Sequence, residues 1–589
     1  MNFFKSFLAS VFGTIVAFIF LGILFFISIA GIASAISSEE TLQADIQENS
    51  VFKLDLDIPV YDNIAATQDF EKALGLGDEV VRFNTLIGAI EQATQNDNIK
   101  GIDLVSQFPQ MGWSQAQTVR KALDQFKASG KFIYTYGDYF SQKGYYLASV
   151  ADSIFLNPMG GIEFKGLAAE ILYYKDFQEK YGFKMEVVRH GKYKSAVEPY
   201  LEKQMSEANR LQINSLLNSV WETVRSEIQI SRSLSIERLD EIAHGLLASQ
   251  PQTAQEVGLV DGVTYSDEYK NKLKSAVGLA TDDHLKKAKL RQLTANNGLY
   301  KKGVREKIAV IYAQGPIFYG EGNEMMIGQK VFLKAINDAV KNRRVKAIVL
   351  RIDSPGGSSL TSDIIWNALV KAKEEKPLVV SMGNVAASGG YYLAVAGDEI
   401  YANDLTITGS IGVFATVPNA EGFAKSIGIN PQHVETHENA LGFSLFKTPS
   451  RGFRSSIKDG IEHVYDVFKQ RVATGRKLSL DQVEAFAQGR VWTGKQAMEK
   501  GMIDGLGGFQ QALKAAARLA DLEAYNLISY PKIEPEFEDF LSVMGPFGQI
   551  EEKIMENYSQ DIKAFLTTLT YKSERPNIEI RLPYTVEIK

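Results

Sequence analysis

"RVKAIVLRIDSPGGSSLTSDIIWNALVKAKEEKPLVVSMG", residues 344–383, decides the fold. Its "KAIVLRI" is continuous, apolar and β-branched, the composition of a strand buried on both faces. "SSLTSDIIWNALVKAKEE" switches to helical spacing, with Ser and Thr available to cap the first turn. "PLVVSMG" returns to a buried strand. Beyond it, "GYYLAVAG" (390–397) has a helical pattern ending at glycine, and "EIYANDLTITGSIGV" (399–413) is strand-like. Strand, helix and strand in alternation, with strands apolar throughout, predict an α/β fold with mainly parallel pairing.

The same order occurs twice. "NIKGIDLVSQFPQMG" (98–112) resembles "RVKAIVLRIDSPGGS" (344–358) at an offset of 246 residues, and "GDYFSQKGYYLASVAD" (137–152) meets "GNVAASGGYYLAVAGD" (383–398) at the same offset. "ERLDEIAHG" (237–245) parallels "DQVEAFAQG" (481–489), and "LDLDIPVY" near 54 parallels "VIYAQGPIFY" near 310. The polar "TANNGLYKKGVREK" (294–307) reads as the linker. The expected organisation is residues 1–40 as a membrane anchor, 41–295 and 305–530 as two repeats, and 531–589 as a helical and extended tail to which no chemistry is assigned.

A chain of 589 residues is long for one core. Net charge is −6 without a basic block, which excludes a nucleic-acid binding class. Cysteine is absent, which removes disulfides, thiolate catalysis and thiolate metal sites. The segment "SFLASVFGTIVAFIFLGILFFISIAGIASAISS" (6–38) carries no charge. About 20 apolar residues span a bilayer, whereas a cleaved signal has an apolar region of about 7–15, so an uncleaved anchor is expected. Cleavage after "ASA" (33–35) is the competing reading. Lys5 before the segment and Glu39 and Glu40 after it place residues 40–589 outside the cytoplasm.

The turn "RIDSPGGSS" (351–359) follows a strand and opens a helix. Pro355 presets one dihedral, and Gly356 and Gly357 bare N–H groups that could hold an oxyanion; a plain turn is the alternative. Ser388 in "AASGG" is a nucleophile or a helix cap. The duplication bears on both. Ser388 matches Gln142, Gly389 matches Lys143, and Gly356 and Gly357 match Gln110 and Met111, while Pro355 matches Pro109 and Tyr391 and Tyr392 match Tyr145 and Tyr146. Scaffold residues persist where the candidate site is gone. A serine nucleophile needs a base. None of the six histidines sits in a triad motif, and a desolvated lysine is the other candidate.

Together "RIDSPGGS", "AASGGYY", "TGSIGV" (408–413) and "HGKYKSAVEPY" (190–200) resemble the long, duplicated form of the signal peptide peptidase A family, also called protease IV. The resemblance implies two tandem ClpP/crotonase-like β-β-α repeats after an N-terminal transmembrane helix. It implies Ser388 as nucleophile, Lys194 as general base and acid, Ser410 as support for the lysine, and Gly356, Gly357 and Gly389 as oxyanion donors, with no metal and no cofactor. It further implies a single-pass protein of the inner (cytoplasmic) membrane with its catalytic part on the periplasmic or extracytoplasmic side, peptide substrates including signal-peptide remnants, and a homotetrameric bowl. Lys192 rivals Lys194, since strand alternation would put both on one face; Lys194 is chosen on the motif alone. Glu198 is not counted as catalytic. No lysine occurs in "VETHENALGFSLF" (434–446), so each half has kept one part. The readings set against a peptidase are a crotonase-like acyl-CoA enzyme and a catalytically dead membrane scaffold.

Overall fold

The computed structural model describes residues 46–64, 80–294 and 303–532, the short strand Ile578–Arg581, and positions 5, 7, 10–17 and 20. Most of the expected anchor, the "ASA" cleavage point, most of the linker, and the tail beyond 532 apart from that strand lie outside the described residues. Among the described residues no helix is long and apolar enough to cross a membrane.

The first half builds a wholly parallel six-stranded sheet. Its main strands are β1 (Ser50–Asp55), β2 (Ile99–Val105), β3 (Phe132–Phe140) and β4 (Ser153–Ile162), ordered β4-β3-β2-β1, with Gly262–Val263 and Lys287–Ala288 at the edges. Helix α1 (Trp113–Ala128) joins β2 to β3, and α2 (Gln142–Ala148) joins β3 to β4. Strand β5 (Lys184–His190) then leaves this sheet and is followed by the long helix α3 (Glu207–Arg232).

The second half repeats the plan with β6 (Lys307–Gln314), β7 (Val345–Ser354), α4 (Ser359–Glu375), β8 (Leu378–Ala387), α5 (Gly389–Ala394), β9 (Ile407–Gly409), β10 (Val413–Asn419) and α6 (Arg451–Arg476). Its sheet runs β9-β8-β7-β6, flanked by Val491–Thr493 and Asn526–Tyr530; only Val491–Thr493 is antiparallel. The expected buried strand is β7, in which Ala347 to Ile352 are all buried. The following helix is capped by Ser358, whose Oγ accepts from Thr361 N at 3.3 Å. It stops at Glu375, because Lys376 precedes Pro377 and is pushed out of helical dihedrals. Elements match in length across the halves: Phe83–Gln95 and Gln329–Lys341 have 13 residues each, and α3 and α6 have 26 each.

One expectation changes. The stretch 399–413 is two strands, Glu399–Ala402 and β9, both lying against β8. Between them Asn403 donates to Ser114 O (3.2 Å), Ser114 Oγ (3.0 Å) and Thr118 Oγ1 (2.8 Å) of α1. Those bonds draw the chain off the sheet and onto the first half.

Each half has its own apolar core, one around Phe52, Leu104, Tyr145 and Val224, the other around Ile311, Leu350, Tyr391 and Phe468. A third sheet crosses between them, in the order Ile327–Gly328, Ile317–Phe318, Gly356–Ser358, Ile578–Arg581, β10, β5.

Candidate active site

The crossing sheet carries the lysine. First-half strand β5 pairs antiparallel with second-half strand β10 along its whole length, from His190 against Val413 to Lys184 against Asn419. The strand ends at His190, and Gly191 (φ +112°) turns the chain. Lys192 is therefore exposed and Lys194 fully buried. The expectation that both share a face fails because residues 191–194 form a turn, where strand alternation does not apply. The turn is held from the second half. Tyr193 N donates to Gln488 O at 2.8 Å, and a Cβ added to Gly489 (φ +78°) would stand 2.6 Å from Lys194 Cβ and 2.7 Å from its Cα.

Lys194 Nζ donates to Ser388 Oγ at 2.9 Å, to Ser410 Oγ at 2.9 Å and to Ser410 O at 3.1 Å. All three side chains have no exposed surface. Burial holds the Lys194 ammonium well below its usual range, because the charged form loses its hydration. Glu198 does not offset this. Its carboxylate accepts from Tyr173 Oη (3.0 Å), Ser206 N (2.7 Å) and Ser206 Oγ (2.9 Å), at the start of α3. The geometry therefore joins Ser388, Lys194 and Ser410, and leaves Lys192 and Glu198 out.

Ser388 and Ser410 both have φ +54°, a region that costs a non-glycine residue on the order of 1–3 kcal/mol and persists only where surroundings impose it. The cap reading of Ser388 does not hold, since its side chain caps nothing in α5. In the first half the cap is Ser141, whose Oγ accepts from Gly144 N at 3.1 Å.

The glycine turn abuts the residue that follows Ser388. A Cβ added to Gly389 would lie 3.1 Å from Gly356 Cα and 2.8 Å from Ser362 Oγ. Gly389 opens α5, so its N–H has no partner within the helix. Gly356 N donates to Ser354 Oγ at 3.2 Å, so an oxyanion reaches that N–H only by exchange. In the first half the same ground is filled: Gln142 Oε1 accepts from Lys165 N (3.0 Å) and Gly166 N (3.1 Å), and Lys143 Nζ donates to Met111 O at 2.6 Å. The side chains at the positions of Ser388 and Gly389 have become props for loops.

Sequence reasoning passed over the clamp at Gln488 and Gly489, although "AQG" (487–489) lies in the repeated segment that matches "AHG" (243–245). Among the described residues no group of three or more histidines and carboxylates could hold a metal ion.

Comparison with known proteins bears on the fold and the class. The profile of peptidase family S49 matches residues 125–280 and 370–523, one stretch in each half. The chain is 33% identical to "Protease 4" of Haemophilus influenzae over 84% of its own length and 82% of the relative's. It is 35% identical to "Protease 4" of Salmonella typhi over 77% and 75% of the two chains. It is 30% identical to "Serine protease SPPA, chloroplastic" of Arabidopsis thaliana over 77% and 68%. The class that fold and similarity define is a serine peptidase with a mixed α/β fold and parallel sheets. Within that class, the chain belongs to peptidase family S49.

Proposed function

We propose that this chain is an endopeptidase that cuts extended, unfolded peptides, cleaved signal peptides among them, through a Ser388–Lys194 dyad. The observation that carries the reading is the 2.9 Å bond between Ser388 Oγ and a lysine whose burial favours the neutral amine. Neutral Lys194 takes the Ser388 proton as Oγ attacks the scissile carbonyl. The N–H groups of Gly389 and Gly357, and that of Gly356 after exchange, face the developing oxyanion. Lys194 returns the proton to the leaving amine, then activates the water that releases the acyl group from Ser388. Ser410 Oγ keeps the amine aimed at Ser388.

The reading extends to architecture: two ClpP/crotonase-like repeats bounded at 41–295 and 305–530, an anchor in residues 1–40 that spans the inner membrane once, a tail from 531 to 589, and a homotetramer with its catalytic part on the extracytoplasmic side. The uncharged run 6–38 supports the anchor, and the "Protease 4" relatives support proteolysis as the reaction.

Ser388→Ala and Lys194→Ala are each expected to lower kcat/KM on an unstructured fluorogenic peptide by about 10³-fold or more, with circular dichroism unchanged. A serine-directed fluorophosphonate is expected to label Ser388 in the parent protein and in neither variant. Full turnover by either folded variant overturns the dyad, and absence of any turnover or labelling favours a silent scaffold.

A further inference from the structure

Strands β7 and β8 pair in register as far as Ile352 with Met382, and the next pair is Ser354 with Ala386. Strand β8 therefore sets three residues, Gly383 to Val385, against the single Asp353 of β7 across the break. Bulges beside active sites re-aim the chain beyond them. Here β7 runs on into Pro355 and the glycine turn, and β8 runs on into Ser388. One side chain fills the break. Asp353 Oδ1 accepts from Val385 N at 2.9 Å, and Oδ2 accepts from Asn384 Nδ2 at 3.1 Å.

The other half supplies an internal control. At the same offset, Gln107 stands where Asp353 stands, and its Oε1 accepts from Asp138 N (2.8 Å) and Tyr139 N (3.2 Å), the counterparts of Asn384 and Val385. A neutral amide thus meets the scaffold's need in the half that lacks the serine. The half that carries Ser388 uses a carboxylate instead.

That carboxylate lies in a charged seam between the halves. Asp62, from the segment after β1, accepts from Arg351 Nε (2.7 Å) and a terminal guanidinium nitrogen (3.2 Å), and Arg351 also donates to Ser381 Oγ (2.9 Å) and Met382 O (2.8 Å). Gln115 of α1 closes the ring, with Nε2 donating to Asp62 Oδ1 (3.2 Å) and its backbone N to Asn384 Oδ1 (3.2 Å). A Cβ added to Gly383 would lie 3.1 Å from both Asp353 Cγ and Asp62 Oδ2, so the two carboxylates flank one glycine. The charged and titratable groups facing Asp353 are Asp62 and Arg351, with the Tyr312 hydroxyl of β6 beyond them.

We propose that Asp353 is a positioning residue, a proton-sensitive latch that fixes the nucleophile strand to the glycine turn and is set jointly with Asp62 across the seam between the halves. The proposal rests on Ser388 and the glycine turn being the reacting elements. Burial first, then the charge of Asp62, push the Asp353 carboxyl up to about 7, against the Val385 N–H, Arg351 and Asn384. Ionised, it accepts from Val385 and Asn384 together; protonated, one oxygen becomes a hydroxyl and the Asn384 bond is lost. The latch is closed above neutrality and loosened below it.

The test compares the parent protein with Asp353→Asn and Asp353→Glu from pH 5 to 9. The readouts are kcat/KM on an unstructured peptide, the rate of fluorophosphonate labelling of Ser388, and the thermal midpoint. The parent is expected to show a limb near pH 7 that rises with pH. In Asp353→Asn the Asp353 limb near pH 7 disappears and only the fall set by Lys194 at its own folded pKa remains, kcat/KM at pH 8 falls about 10-fold, and the melting point at pH 5.5 stays put; Asp353→Glu restores the limb. If Asp353→Asn does not fold, Asp62→Asn is read instead and is expected to move the limb to lower pH by about one unit. A limb unchanged in these variants while Ser388 is still labelled overturns the latch alone. Absence of labelling in the parent protein overturns the dyad beneath it.

Discussion

A lysine deprived of water is the costliest residue in this site. Lys194 is fully buried, and its three hydrogen-bond partners are two serine hydroxyls and a carbonyl, none of them charged. Its folded pKa is depressed while its unfolded pKa is ordinary, so between the two the unfolded chain holds a proton that the folded chain lacks. The stability penalty is therefore absent above about 10.5 and grows as pH falls, by about 1.4 kcal/mol per unit, until the folded pKa is reached. Stability and activity therefore both decline as pH falls, while the presence of the amine serves activity at the expense of stability. Activity is expected to fall as pH drops through the folded pKa, because the protonated amine cannot act as base. Lys194→Met, which keeps the stem and discards the amine, is expected to abolish turnover and raise the melting temperature by several degrees at pH 7, as scanning calorimetry would read. A melting temperature lowered by that substitution would show that the amine contributes net stability.

At the scale of elements, the geometry of the proposed dyad depends on how a turn from one half is gripped by the other. Gly489 touches the Lys194 backbone with no room for a methyl group. Gly489→Ala is expected to displace the turn and lower kcat on the order of 10²-fold, the effect of a shift of about 1 Å at a reacting group. Gly428→Ala, at φ +83° but with nothing within 4 Å, carries comparable backbone strain and is expected to leave kcat unchanged. Much of this site is legible in the residues. Ser388 stands out because its twin is Gln142, and Lys194 through the motif around it. The grip of Gln488 and Gly489, the positive φ of both serines and the bond between Asp353 and Val385 are not legible. They are backbone geometries and contacts between residues some 30 to 300 positions apart, and no local pattern encodes them. Lys192 and Lys194 illustrate the limit: alternation would have made them equivalent, and the turn that begins at Gly191 makes one exposed and the other buried.

For the whole molecule, the repeat and the parallel α/β plan are read directly from apolar runs recurring at a fixed offset, since buried parallel strands must be apolar on both faces. The crossing sheet escapes such reading, because β5 is only partly buried and its partner lies in the other half. That sheet has one further feature. Strand Ile578–Arg581 runs antiparallel to Gly356–Ser358 on one side and to β10 on the other, with Gly357 opposite Ile580 and Phe414 opposite Glu579. Adjacent strands stand about 4.8 Å apart, so the two edges it joins are about 10 Å apart, beside the glycine turn. Removing residues 578–589 would leave those edges bare. The expected result is a KM several-fold lower for an unstructured peptide at unchanged kcat, read by steady-state kinetics; an unmoved KM would put that strand off the substrate's path. Once that strand is removed, a gap of this width would act as a gauge. It would admit one extended backbone, which can bond to both sides at once, and turn away a helix about 10–12 Å across, whose backbone groups are already spent on itself. The enzyme would then measure whether a chain is folded before any side chain is read.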